Sequence, residues 1–237
     1  MSTIVQAPRR PLFANAWLWF VLVLLIVLAG FWPSFFSRPG QNPLPHLLHG
    51  TVCTLWLVLL VAQAGLMRAR KLAWHRALGK SAYVLMPLVI ATGAWVLHLM
   101  LAGQTRLPPP LRLTLGFIDL GTLTFLALAF TLAMVNRRDV QRHARWLATT
   151  ALVVLPPATT RFVFLVQPDA SIAFALNVSY FALEAVTLLL IANDWRSGRM
   201  RLPFVAALAY LASTHASLGS VAQWPAWQWL AGRIGGM

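Results

Sequence analysis

The residues of this 237-residue chain best suited to chemistry are six histidines, Asp119, Glu184 and Arg161, and all lie in or beside long apolar segments. Ionisable groups are costly in hydrocarbon, so such residues face a bundle interior and mark functional positions by default. The histidines fall into two layers: His46, His49, His98 and His215 in one, His75 and His143 in the other. A b-type haem needs two neutral imidazoles from different helices at one depth. His49 with His98 or His215 would supply one pair of iron ligands, and His75 with His143 a second. Two stacked haems would pass electrons across a bilayer, with nearby arginines holding the propionates. His49 precedes Gly50, and a small residue there lets a flat cofactor or another helix approach closely.

Depth follows from about 1.5 Å of rise per residue, which brings Asp119 and Arg161 to a similar level on consecutive helices. The expectation is an Asp119–Arg161 contact, or a ligand shared between them, because an isolated charge would cost far more. Glu184 has no obvious basic partner in sequence: a protonated carboxyl is the first expectation, since burial disfavours its charge, and the alternatives are a hydrogen bond to Gln63 or Tyr180 and a place in a proton path. Other chemistries are excluded. There is no His-Glu-x-x-His zinc motif, no phosphate loop, no histidine cluster dense enough for a di-iron site, and too few acids for a hard cation. The single cysteine, Cys53, forms no intrachain disulfide and no multi-cysteine metal site.

The elements that must position these residues are membrane spans. Apolar residues make up 59% of the chain and charged ones only 10%, which cannot give a water-facing surface. Seven segments are long enough to cross about 30 Å of hydrocarbon, near 15–36, 46–68, 76–102, 112–135, 145–167, 171–194 and 203–222. The last, carrying Ser213, Thr214, His215 and Ser217, could instead be re-entrant. The reading is an all-α integral membrane protein, one transmembrane domain over 1–237, its first span uncleaved despite the preceding Arg9-Arg10. The net charge of +14 reflects topology and anionic lipid head groups rather than nucleic acid. Fourteen of 19 basic residues lie around Arg9–Arg10, Arg68–Lys80, Arg137–Arg145 and Arg196–Arg201, all on one side, which the positive-inside rule makes cytoplasmic. The N-terminus is then inside and the C-terminus outside, with Trp224, Trp227 and Trp229 at the outer interface.

The hairpins "MRARKLAWHRALGKSAYVLMP" and "NRRDVQRHARWLATTALVVLP" share a basic turn, a histidine and a later proline, which would make His75 and His143 equivalent positions in a parallel repeat. In order, the chain carries His49-Gly50, Gln63, His75-Arg76-Ala77-Leu78-Gly79, His143-Ala144-Arg145-Trp146-Leu147 and Arg161. Over about residues 46–166 this set resembles a family of uncharacterised predicted bacterial multi-span membrane proteins. A looser likeness is to the di-haem transmembrane b cytochromes, from which the chain departs in having His75 and His143 so close to the loops. These resemblances imply a bacterial inner-membrane protein. The expected function is redox, with haem b or a quinone bound; the alternatives are a non-catalytic accessory subunit of a larger membrane complex and a small proton-coupled transporter using Glu184, Asp119 and Arg161. Alkaline phosphatase fused after Met237 should be active in a bacterial host and the same reporter fused after Arg138 inactive; the reverse pattern would invert the topology.

Overall fold

The structure, a computed structural model, describes residues 15–198 and 200–236. Arg9, Arg10 and Arg199, counted above on the basic side, lie outside the described residues. The described chain forms α-helices with short 3-10 and π turns and no strand. In chain order they are Ala16–Phe31 (α1), Leu44–Arg68 (α2), Leu72–Gly79 (α3), Ala82–Leu101 (α4), Pro109–Val135 (α5), Val140–Val153 (α6), Pro156–Val166 (α7), Ile172–Arg196 (α8), Leu202–Ser217 (α9) and Pro225–Gly235 (α10). Leucine and alanine, both good helix formers, dominate these segments. The segments are helical because hydrocarbon leaves each backbone group to be bonded within its own segment.

The helix starts follow local chemistry. Prolines occupy the first turn of α2, α5, α7, α9 and α10, where a missing N–H leaves nothing unsatisfied. Two others are capped by side chains. Asp139 accepts from the backbone N–H groups of Gln141 and Arg142 at 3.0 and 3.1 Å, and Ser171 from that of Phe174 at 3.1 Å. The amide of Arg142 is the main reason that the Asp139 carboxyl is held below the usual carboxylate range.

Five helical stretches are long and apolar enough to cross a membrane: Ala16–Phe36, Leu44–Arg68, Leu72–Leu101, Pro109–Val135 and Ile172–Arg196. The chain is thus a multi-pass helical membrane protein. The segment read as one straight span over 145–167 is instead α6 and α7, bent by 44°. Pro156 and Pro157 cause the break, since neither can donate to the preceding turn and each ring crowds a carbonyl there. The segment read as 203–222 ends at Ser217, giving α9 only 16 residues and a length of roughly 24 Å. After a 3-10 turn at Val221–Gln223, α10 packs on the ends of α4 and α5. Trp227 is therefore not at a wet interface: it is buried with Leu97, Met100 and Leu101, and its indole N–H donates to the Leu113 carbonyl at 3.0 Å. Trp224 and Trp229 do remain exposed.

Around the bundle, α1 packs on α2 and α7, α2 on α4, α4 on α5, α5 on α6 and α9, and α8 on α7 and α9. Arg68 donates to Asn15, His143 to the Ala133 carbonyl, and Arg145 to Asp194, so the start of α1 and the ends of α2, α5 and α8 meet at one basic end. The main core gathers Trp56, Met86, Val89, Leu126 and Val153. Gly30 lets α1 close on α7, and a Cβ there would run into the backbone carbonyl of Ala158. Gly30→Ala should lower the unfolding temperature in detergent, while Gly65→Ala, with open space around its Cα, should not; equal effects would deny that contact its role.

Candidate functional site

Gln63 of α2, His75 of α3 and His143 of α6 all stand at the basic end. His75 lies against the backbone of Gln63 and within electrostatic range of His143. The Gln63 amide also lies beside Gly79, one turn along α3 from His75. Gln63 stands five residues before the end of α2, so this group sits about 7.5 Å inside that end. The Gln63 side chain is buried with both amide atoms unpartnered, and His75 Nδ1 is buried and unpartnered too. His143 Nδ1–H donates to the Ala133 carbonyl at 2.9 Å. In a neutral ring that bond places the lone pair on Nε2.

A second group lies between α8 and α9. His215 Nδ1 meets Glu184 Oε1 at 2.9 Å and Nε2 meets Asn177 Oδ1 at 3.0 Å. Tyr180 stacks on the imidazole at 5.4 Å between ring centres, and Phe181 stands edge-on at 4.5 Å. Glu184 therefore bonds neither Gln63 nor Tyr180, as the sequence had led one to expect, but a histidine from the neighbouring helix. Its remoteness in sequence, 31 residues, hid that partner. With both ring nitrogens engaged, His215 has no lone pair to offer an iron.

The Asp119–Arg161 contact does not form. Each feels the other's charge, yet no ion pair joins them. The bend before α7 turns Arg161 toward α1, where its guanidinium covers Phe31 at 4.4 Å and donates to the Pro157 carbonyl at 2.9 Å. Asp119 faces the electrostatic field of Tyr180 and Tyr210, and Tyr210 shares a 2.7 Å hydrogen bond with Thr122.

The histidines at the opposite end are kept apart. The Thr92 hydroxyl gives its proton to the Leu88 carbonyl at 2.6 Å, so it accepts from His49 Nδ1 at 3.1 Å. The His49 ring lies over Gly93. His98 is five residues farther along α4, about 7.5 Å away and about 140° around the helix. There its Nδ1 donates to the Ile234 carbonyl of α10 at 2.6 Å. The face of Gly50 is not open to a cofactor, because the Phe35 ring fills it. Of the pairings expected from sequence, the structure separates His49 from His98 and His215, while His75 and His143 share the basic end within electrostatic range of each other.

Sequence reasoning missed a buried ion pair. Arg145, counted as a loop cation, is 3% exposed, and Asp194 1%. Arg145 Nε and Nη2 clasp the carboxylate at 2.8 and 2.6 Å, and Nη1 donates to Gln141 Oε1 at 2.6 Å. The signal was an aspartate in the last turn of an apolar span, facing away from the basic Arg196 beside it. Among the described residues no group of three or more His, Cys, Asp or Glu side chains could hold a metal ion by itself.

No family model, curated protein or solved structure matches the chain. Fold and site alone define its class, a multi-pass helical membrane protein with clustered polar groups inside its spans. Asp194→Ala should cost about 3–5 kcal/mol of stability by leaving Arg145 uncompensated, and Arg145→Met with Asp194→Leu should recover most of it. Chemical denaturation in detergent measures both; an unaffected single variant would show that the pair holds nothing.

Proposed function

We propose that the protein is a redox protein of the bacterial inner (plasma) membrane, crossing it seven times with the N-terminus inside, in which His75 and His143 hold a b-type haem near the cytoplasmic face. The observation that carries this reading is a buried unpartnered imidazole nitrogen on His75 beside the buried, unpartnered Gln63 amide, with His143 of the other hairpin within electrostatic range. Buried polar atoms without partners are rare, and each calls for an explanation. A bare metal ion needs three or more protein ligands in sites of this kind. Two imidazoles suit an iron whose remaining four ligands come with it. The group fits here in number and donor type, and does not fit at His49, His98 and His215.

Bound there, haem would supply one-electron transfer. The Ala133 carbonyl fixes the tautomer and ring direction of His143. The Gln63 amide supplies a donor and an acceptor in the same pocket. Arg68 and Arg76 lie at the same end of the bundle, where propionates need cations. A second reading, a small proton-coupled carrier, is favoured by the Glu184–His215 pair and its electrostatic neighbours Tyr180 and Asp119. Protein expressed with added haem and purified in mild detergent should show a Soret band and a reduced-minus-oxidised α band. Both should vanish in His75→Ala and His143→Ala and persist in His215→Ala. A colourless wild type, or colour that survives both losses, would refute the haem.

A further inference from the structure

The contact between α8 and α9 is a polar seam at mid-span. Asn177 and Glu184 are seven residues apart on one face of α8, and His215 of α9 lies between them. Glu184 is 12 residues from the basic end of α8, about 18 Å along it, which places the group deep in the hydrocarbon.

The protons of this row can be assigned. Asn177 Nδ2 donates to the Ala173 carbonyl at 2.7 Å, which leaves Oδ1 facing His215. The flipped amide would set two oxygens against each other. An amide oxygen only accepts, so Nε2 must carry a hydrogen. One proton then remains for the link from Nδ1 to Glu184, as an imidazolium beside a carboxylate or as a neutral ring beside a carboxyl. Either way the pair has no net charge, which is the state that hydrocarbon tolerates.

The row is not sealed. Asn177 is exposed, Phe181 is 63% exposed, and the Glu184 side chain retains 16% exposure. Phe181 and Glu184 lie toward the middle of the span and Asn177 about 7.5 Å inside its far end, so the deeper part of the opening faces lipid rather than water. Asn177 keeps its second amide hydrogen and Glu184 its second oxygen, a donor and an acceptor on either side of one ring. Beneath them Tyr180 is fully buried with an unpartnered hydroxyl. A visitor must dissolve in the bilayer, present a flat face to Phe181, and carry oxygens at opposite ends of a ring, as the imidazole itself presents its nitrogens to the same two side chains.

We infer that the seam of Asn177, Phe181, Glu184 and His215 docks the headgroup of a lipid-dissolved quinol, one hydroxyl donating to the free Glu184 oxygen and the other accepting from the Asn177 amide. It would give the redox reading a membrane-soluble partner, and its chemistry does not depend on His75 and His143.

The test is a titration of full-length protein in phospholipid nanodiscs with a short-chain benzoquinol, kept reduced and ¹³C-labelled at its hydroxyl-bearing carbons, read by calorimetry and by the carbon–oxygen stretch. Wild type should bind beyond partitioning into protein-free nanodiscs, with a shifted stretch. Asn177→Leu and Phe181→Ala alter exposed side chains and should fold normally, yet each should weaken binding about tenfold, as the loss of one buried hydrogen bond or one ring contact does. His75→Ala should bind as wild type does, so a failed haem assignment and a failed quinol site are distinguishable. Partitioning equal to protein-free nanodiscs, or equal affinity in wild type and both seam variants, would overturn the inference. So would a photoreactive group at position 181 that crosslinks to another polypeptide in native membranes rather than to a labelled quinol.

Discussion

Hydrocarbon offers no hydrogen bonds, and that constraint arranges this molecule. Each polar side chain within a span must find a partner in the protein or stay costly. Many threonines solve the problem locally. Thr54, Thr124, Thr131 and Thr187 return their hydroxyls to the carbonyl four residues back at 2.7–2.8 Å, which hides a polar group and fastens nothing. The groups that reach another helix make the bundle specific. Trp56 donates to Thr150, Tyr210 pairs with Thr122, Trp227 donates to the Leu113 carbonyl, and Arg145 clasps Asp194. Leucine against leucine gives no such direction, because the lipid is as apolar as the partner.

The same accounting separates structure from function. Arg145 and Asp194 satisfy each other, so their charge is spent on holding α6 to the end of α8. Gln63 and Tyr180 are buried and His75 half-buried, and each retains an unspent buried atom, as Trp17, Thr105, Arg112 and Thr160 do elsewhere in the bundle. Gln63 and His75 share the basic end with His143, while Tyr180 stacks on His215 beside Glu184. The presence of histidines beside them sets these two groups apart from the other four residues.

Long-range chemistry was less legible in the sequence than the spans were. Apolar length located five of the spans to within a few residues, since it depends on composition over about 20 positions. The bend at Pro156–Pro157 was written in the chain as well, yet a hydropathy window passes over it, and it alone turns Arg161 toward α1 and away from Asp119. The amphipathic α10 was too short and too rich in tryptophan to register as anything but an interfacial belt. Depth arithmetic grouped polar residues by level, but level says nothing about azimuth and is coarse along the axis. The His49 ring lies at Gly93, and His98 is five residues beyond it on α4, about 7.5 Å along and about 140° around the helix, so the two do not meet. The basic hairpins place His75 and His143 at one end of the bundle, within electrostatic range.

Depth also decides how the two polar groups relate. Measured from the basic ends of their helices, Gln63 lies about 7.5 Å in and Glu184 about 18 Å, so roughly 10 Å of helix separates the levels. No side chain bridges that gap, and the two groups cannot be one site. Their chemistry differs accordingly. The end near the basic loops has imidazoles with nitrogens to spare and cations close by, which suits a bound group that carries charge of its own. The mid-span seam has a histidine with none to spare, a carboxyl that shares one proton, and an opening toward lipid, which suits a neutral visitor that comes and goes. Hydrocarbon enforces the division: a charged ligand at 18 Å would need a counter-ion that α8 and α9 do not supply, whereas a neutral one needs only the donor and acceptor already there.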